Sequence, residues 1–429
     1  VLPAALAAAV VVASPLWSWY ARHAGIDMPL ALLSFASFLL FLHGGKAWVA
    51  GAAVLGLGIL VKAPAAWVVG IPLIALAGLR ASPVRWRPAR VLAAVALAAL
   101  PVTLWLAALH LARGTDVFSI ASAEAAQNSF DVPAFNRKPF YYYLSTVAAF
   151  CPLALILPAD FMAFLRRWRS GDRSPRELGV WLYALGNLVF FSLFFKKKDY
   201  YLLPVLPAFA LLIGLGLQRR WSAGWMNGWE RWSVRLLTGV LLVAAAAAPI
   251  YMVVFHPEIV VRTSVTMTLA ALVATIGLAS SFDNEARRPA LALLVCVALF
   301  LACLHFTFVP TLDAYRSRRE FFAHIRPVVD GKNLIAYRYP SYDALFYLER
   351  TIPDVSDAGL ALLEEVAASP EPTYVLSQRR TNEARDFHGL RIVTSRVYGF
   401  SSSFSPGKEV LLLANDAADA SPMENFRNR

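Results

Sequence analysis

The sequence predicts an α-helical polytopic membrane domain followed by a small C-terminal α/β domain outside the cytoplasm. Three observations carry this. Of 429 residues, 58% are hydrophobic and only 16% charged, against about 45–50% and about 25% for ordinary soluble proteins. The apolar residues fall in long runs separated by short polar loops as far as Pro310, whereas 311–429 has the mixed composition of a water-soluble domain. Lys and Arg are divided unevenly between alternate loops, which is how membrane proteins fix orientation.

A hydrocarbon core of about 30 Å needs about 20 apolar residues per helix. That spacing predicts about eleven spanning segments: 1–17, 29–43, 47–61, 64–79, 91–112, 140–164, 178–195, 201–217, 236–255, 264–281 and 289–310. The run from 47 to 79 is too long for one helix and is broken at Lys62-Ala63-Pro64. Proline disfavours a continuous helix, so two segments joined by a tight outer turn are expected.

One set of alternate loops carries sixteen Lys and Arg and the other nine: Arg22, Lys62, Arg113, Arg137, Lys138, Lys196, Lys197, Lys198 and Arg262. The richer set is assigned to the cytoplasm. With eleven segments, the C-terminal domain then lies on the outer, extracytoplasmic side. The formal charge of +12 is thereby explained without nucleic acid, because much of the arginine sits in loops between apolar runs. Cys151, Cys296 and Cys303 all lie inside apolar runs, so no disulfide framework is indicated.

The C-terminal domain, 311–429, is expected to open with a polar helix over 313–325. Strands follow at 333–337, 373–377, 391–398 and 409–413, with helices near 342–349 and 360–367 and a frayed end from 415. It offers no ligand motif.

Templates for Walker A loops, dinucleotide-binding glycines, HExxH, paired CxxC and the nucleophile elbow find no match. What remains is a set of charged residues in the outer loops. Asp27 precedes a helix that opens with Pro29, and it reads either as an N-cap or as a carboxylate able to hold a metal, a sugar hydroxyl or a proton. Lys62 interrupts an apolar stretch, where a charge costs about 2.5–3.5 kcal/mol unless it snorkels or pairs; it either snorkels or contacts phosphate. Lys196, Lys197 and Lys198, followed by Tyr200 and Tyr201, stand where the orientation rule disfavours lysine. A lipid phosphate or pyrophosphate accounts for them better than an interfacial anchor does. Tyr141, Tyr142 and Tyr143 read as an aromatic belt, and the preceding Arg137 and Lys138 read either as its flanking charge or as substrate contacts.

Together these stretches resemble the bacterial dolichyl-phosphate-mannose-protein mannosyltransferase-like membrane glycosyltransferases of GT-C type, the group that includes the lipid A aminoarabinose transferase. Arg22 to Pro29 is similar to that family's Arg-x-x-x-x-Asp-Met-Pro junction. Gly56 to Pro64 is similar to its Gly-Leu-x-x-Leu-Thr-Lys-Gly-Pro, with Ala63 in place of the glycine. Lys138 to Leu144 resembles its Lys-Pro-Phe-x-Tyr-Tyr-Leu, and Lys197 to Leu212 its Lys-Arg-x-x-Tyr-Leu-Leu-Pro-x-x-Pro-Ala-x-Ala-Leu-Leu, with Asp199 placing an acid beside the lysines. The match covers about residues 1–215 and extends to the rest only in architecture.

The resemblance implies inverting transfer of a sugar from a polyprenyl-phosphate donor to a lipid, glycan or protein acceptor on the outer face of the bacterial cytoplasmic (inner) membrane, without a nucleotide sugar. It implies donor-phosphate contacts from Lys62, Lys197 and Lys198, substrate-side roles for Arg22, Lys138, Tyr142 and Tyr201, and an accessory acidic role for Asp27. No cofactor is certain, although a divalent metal is possible. The family's principal catalytic aspartate lies in a first outer loop upstream of anything matched here, and its thirteen helices exceed the count here by two. The chain is therefore expected to lack the first helix, the catalytic loop and the second helix. Rival readings are a transporter or lipid flippase, which would place ionisable groups near mid-membrane, and a non-catalytic partner subunit.

Overall fold

The structure is a computed structural model describing residues 2–21, 25–79, 87–113, 138–150, 153–193, 197–224, 228–255, 260–282, 287–308, 310, 317–339, 341–356, 359–380, 389–398 and 408–418. Its contacts divide the chain into two compact units, Val1–Leu304 and His305–Arg429.

The first unit is helical. Its elements are α1 (Leu2–Val12), α2 (Pro15–Ala21), α3 (Asp27–His43), α4 (Ala47–Val61), α5 (Ala65–Gly78), α6 (Pro88–Arg113), α7 (Tyr142–Phe150), α8 (Leu157–Arg169), α9 (Pro175–Ser192), α10 (Leu206–Ala223), α11 (Gly228–Phe255), α12 (Val260–Ser280) and α13 (Arg287–Cys303). Every apolar run singled out in the sequence contains a helix, but the runs are not all single spans. Four helical stretches, Pro88–Ala112, Gly228–Tyr251, Val260–Ser280 and Arg287–Thr307, are each long and apolar enough to cross a membrane; α1 and α2 form a fifth only if their 71° bend is counted as one broken span. Helices α3, α4 and α5 are apolar but shorter.

Two expected spans are interrupted. The run 140–164 is divided into α7 and α8, with Leu153 in the left-handed region at φ 64° and a 3-10 turn at Ala154–Ile156. In 201–217 the helix begins only at Leu206, after a 3-10 turn over Asp199–Leu202. Hydropathy reports solvent preference and says little about backbone path, which is why the breaks escaped the apolar pattern. The break at Lys62-Ala63-Pro64 is the tight turn expected: Lys62 is extended, and the Ala65 amide donates to its carbonyl at 3.1 Å.

Lipid is the solvent that makes the helix surfaces intelligible. Within α6, Ala94 and Ala98 are buried, whereas Leu92, Val95, Leu104 and Trp105 are exposed. A water-soluble protein rarely exposes so continuous an apolar surface. Where helices meet, small residues let backbones approach. A Cβ on Gly56 of α4 would stand 2.7 Å from the Ala98 carbonyl oxygen of α6, and one on Gly214 of α10 would meet the α1 backbone at Pro3 and Ala7. Close packing of this kind replaces the hydrophobic drive that is missing between helices in lipid.

The second unit carries α14 (Arg319–Val329), β1 (Asn333–Tyr337), α15 (Ser341–Leu348), α16 (Gly359–Ala368), β2 (Thr373–Arg380), β3 (Arg391–Tyr398) and β4 (Lys408–Ala414). Strand order is β1-β2-β4-β3, with β1 parallel to β2 and the other two pairings antiparallel. Alternation along β1, β2 and β4 fills both faces. Leu334, Ala336, Leu376 and Leu412 pack with Phe321, Phe322 and Ile325 of α14 on one side, and Ile335, Val375, Leu411 and Leu413 pack with Leu363 of α16 on the other. The strands and the helices α15 and α16 follow the sequence reading closely. The opening helix runs from Arg319 to Val329 rather than ending at 325, because Val329 continues the buried stripe of Phe321, Phe322 and Ile325; 311–316 and 419–429 lie outside the described residues.

Asn415 closes this unit. Its amide nitrogen donates to the carbonyls of Val366, Ser369 and Glu371, and its oxygen accepts from the amides of Thr373 and Ala418, while the side chain is wholly buried. Replacing a fully bonded buried amide leaves backbone groups unpaired. Asn415→Ala should therefore destabilise the second unit by about 2–4 kcal/mol, measured as a lower unfolding midpoint of the full chain; an unchanged midpoint would contradict this.

Candidate functional site

The turns and helix ends of the first unit carry Asp27, Lys62, Lys138 and 197–202, because a residue at a helix end can project a charge without burying an unpaired one in the bundle. Asp27 is the first residue of α3. The N-cap is Ile26, which makes no side-chain capping bond, so Asp27 does not serve as the cap. Its Oδ1 instead accepts from Lys62 Nζ at 2.8 Å, with both side chains partly exposed. The extended conformation of Lys62 at the α4–α5 turn aims its ammonium at this carboxylate and over the rings of Tyr200 and Tyr201, at 5.2 and 6.0 Å from their centroids. A lysine so held is paired rather than merely snorkelling.

The stretch 197–202 is strapped to α7. The Tyr143 hydroxyl accepts from the Lys198 amide at 3.1 Å and donates to the Lys198 carbonyl at 3.2 Å, and the Tyr142 hydroxyl donates to Asp199 in a very short bond. Lys197 Nζ donates to the Lys138 carbonyl at 3.2 Å, and Lys197 is buried. Burial pushes its ammonium pKa below the ordinary lysine value. Lys138 is exposed, with its ammonium 5.5 Å from the centre of the Tyr142 ring. Tyr20, near the end of α2, meets Tyr200 edge to face at 5.9 Å, Tyr200 meets Tyr201 at 4.9 Å, and Phe191 stacks on Tyr201 at 5.9 Å.

Asp27, Lys62, Lys138, Tyr142, Lys197 and Tyr201 therefore belong to one connected cluster. Lys198 joins it through its backbone, and its side chain is exposed. Arg22, Arg137 and Lys196 lie outside the described residues. Tyr20, Tyr143 and Asp199 are members the sequence did not assign to a site; the only signal for them was aromatic or acidic character beside a motif residue. Four lysines against two carboxylates leave an excess of two positive charges, set among tyrosine rings that provide apolar faces and hydroxyls. Such a site suits an anion attached to an apolar body.

No group of three or more His, Cys, Asp or Glu side chains able to hold a divalent metal occurs among the described residues, and the carboxylate of Asp27 is engaged by Lys62.

Fold and cluster define a membrane-spanning helical protein with a cationic, aromatic-lined site built from helix ends. Neither a protein-family model nor a curated protein matches the sequence. Two solved structures do share the fold. The crystal structure of ArnT from Cupriavidus metallidurans in the apo state superposes with a TM-score of 0.65 at 18% identity, over 98% of this chain and 80% of that one. The same protein bound to undecaprenyl phosphate gives 0.64 at 17%, with the same coverage. At such identities the likeness is one of fold, and it is the fold to which the four sequence motifs pointed.

Removing the Tyr143 hydroxyl leaves the Lys198 amide without its partner. Tyr143→Phe should raise hydrogen exchange at 197–202 by about ten-fold, the equivalent of about 1.4 kcal/mol, while exchange in the second unit is unchanged; equal exchange at 197–202 would show that the strap does not hold this segment.

Proposed function

We propose that the chain is a membrane glycosyltransferase of GT-C type that takes its sugar from a polyprenyl-phosphate donor and passes it to a lipid, glycan or protein acceptor at the outer face of the inner membrane, with the second unit on that extracytoplasmic side. The observation that carries the proposal is the convergence of Asp27, Lys62, Lys138 and 197–202 on one cluster, from stretches far apart in sequence. The likeness of fold to ArnT, one of whose structures holds undecaprenyl phosphate, supports a lipid phosphate as the ligand.

In the proposed reaction an acceptor oxygen attacks the anomeric carbon as the bond from that carbon to the phosphate oxygen breaks, so that configuration inverts. Negative charge grows on the departing isoprenyl phosphate. Ammonium groups already in place stabilise it without reorganisation. Lys62 and Lys198 are assigned to that phosphate, with Lys197 reinforcing the field from its buried position. Lys138, Tyr142 and Tyr201 line the substrate side, and Arg22 is assigned there on its motif alone. Asp27 has an accessory part: it holds Lys62 in place and, once phosphate draws the ammonium away, is free to accept a hydrogen bond from the acceptor. The acceptor's proton passes to a carboxylate base that the motifs matched here do not include.

The purified chain should bind undecaprenyl phosphate, and the double substitution Lys62→Ala/Lys198→Ala should weaken binding about ten-fold or more. Unaltered affinity would refute the phosphate assignment. A polyprenyl-phosphate donor with a labelled sugar should lose its label to an acceptor or to water; binding with no loss of label would favour the flippase or partner-subunit reading instead.

The depressed pKa of Lys197 sets a pH dependence. At alkaline pH the unliganded protein carries Lys197 partly neutral, and a bound phosphate favours its protonation, so affinity falls with rising pH earlier than an ordinary lysine would cause. Lys197→Arg, which stays charged, should extend the binding plateau to higher pH. Superimposable profiles would remove Lys197 from the phosphate's surroundings.

A further inference from the structure

A second polar assembly lies at the other end of α10. From Leu206 to Arg220 that helix rises about 21 Å, at about 1.5 Å per residue, which separates this assembly from the lysine–tyrosine cluster. Here α8, α10 and the start of α11 border an open cavity of about 630 Å³, lined by the apolar side chains of Pro158, Met162 and Trp229, by Arg166, Arg219 and Arg220, and by Asp160 and Glu230.

Arg220 is deeply buried. It donates through Nη2 to Asp160 at 2.8 Å and, in a very short contact, to Glu230. Gly216 makes room for the pair, since a Cβ there would collide with both Asp160 and Arg220. Arg219 and Arg167 share Glu177 at 3.1 and 2.8 Å. These ion pairs leave donors over. Nε and Nη1 of Arg220 and Nη2 of Arg219 are buried with no hydrogen-bond partner among the described residues, as is the acceptor Asp160 Oδ2. Arg166, exposed at the rim, has no ion-pair partner among the described residues. Four arginines against Asp160, Glu177 and Glu230 give one net positive charge. Arg166 and the partly exposed Arg219 are the guanidinium groups that solvent reaches at this cavity, and guanidinium is the side chain suited to bidentate binding of an oxyanion.

The surroundings identify the carrier of that anion. Trp229 sits in the first turn of α11, a helix long and apolar enough to cross a membrane, and its ring is half exposed and stacked on Trp232 at 5.1 Å. Its Nε1 donates to the Leu155 carbonyl at 2.8 Å. Tryptophan pairs at the end of a span mark headgroup level, and the apolar wall of the cavity suits the first acyl carbons below a phosphate.

We propose that this cavity binds the phosphodiester headgroup of an anionic glycerophospholipid, with Arg166 and Arg219 as donors, at a site separate from the proposed donor site. The phosphate enters between Arg166 and Arg219. The Asp160–Arg220–Glu230 triad ties α8, α10 and the start of α11 together at this cavity.

The test uses the full chain in detergent and native mass spectrometry with three probes: dioleoyl phosphatidylglycerol, dioleoyl phosphatidylcholine and inorganic phosphate. One phosphatidylglycerol should be retained about ten-fold more tightly than phosphatidylcholine. Arg166→Gln/Arg219→Gln should abolish that preference while leaving undecaprenyl phosphate binding and the unfolding midpoint unchanged, which separates this site from the donor site and from misfolding. Equal retention of the two lipids, or a preference that survives the double substitution, would overturn the proposal. So would retention of inorganic phosphate with no lipid preference, which would make the cavity a free-anion site.

Discussion

The contact between Lys62 and Asp27 is the interaction on which the rest of the site depends. A lysine between two apolar helices is tolerable only if its charge is answered, and at 2.8 Å the carboxylate that opens α3 answers it. That pairing ties the start of α3 to the α4–α5 turn and fixes an ammonium over Tyr200 and Tyr201. Those rings in turn belong to the stretch strapped to α7 by Tyr142 and Tyr143. One ion pair thus connects four separate segments.

The same economy governs where polar groups occur in the first unit. Helix interiors are apolar and pack through small residues such as Gly56 and Gly214, while charge collects at turns and breaks. The break at Leu153 and the 3-10 turns shorten several helices below the length of a span and bring α7 and the 197–202 stretch within hydrogen-bonding reach of each other. Irregular backbone is tolerated in a membrane protein where protein covers it or a cavity opens, and Lys62 and 197–202 lie on such stretches.

Much of this was legible in the sequence. Apolar runs located the helices, the Lys62-Ala63-Pro64 break was recognisable from proline and charge, and the elements of the second unit emerged from alternation, with Asn333–Tyr337 and Arg391–Tyr398 matching to the residue. The motif residues Asp27, Lys62, Lys138, Tyr142, Lys197 and Tyr201 do come together. What the sequence hid was pairing over distance. Nothing in the local sequence reveals that Asp27 meets Lys62 rather than capping its own helix, that Tyr143 brackets the Lys198 peptide, or that Asp160, Arg220 and Glu230 form one buried triad. Helix length was overestimated for the same reason, since hydropathy does not report a backbone bend.

The central claim is that the lysine–tyrosine cluster receives an isoprenyl phosphate. Its most direct test is photocrosslinking with an isoprenyl phosphate that carries a diazirine beside the phosphate, followed by mapping of the modified peptides. The account predicts labelling at Tyr20, Lys62, 138–143 and 197–202, suppressed by excess undecaprenyl phosphate. Labelling confined to other parts of the chain, or insensitive to that competitor, would contradict it.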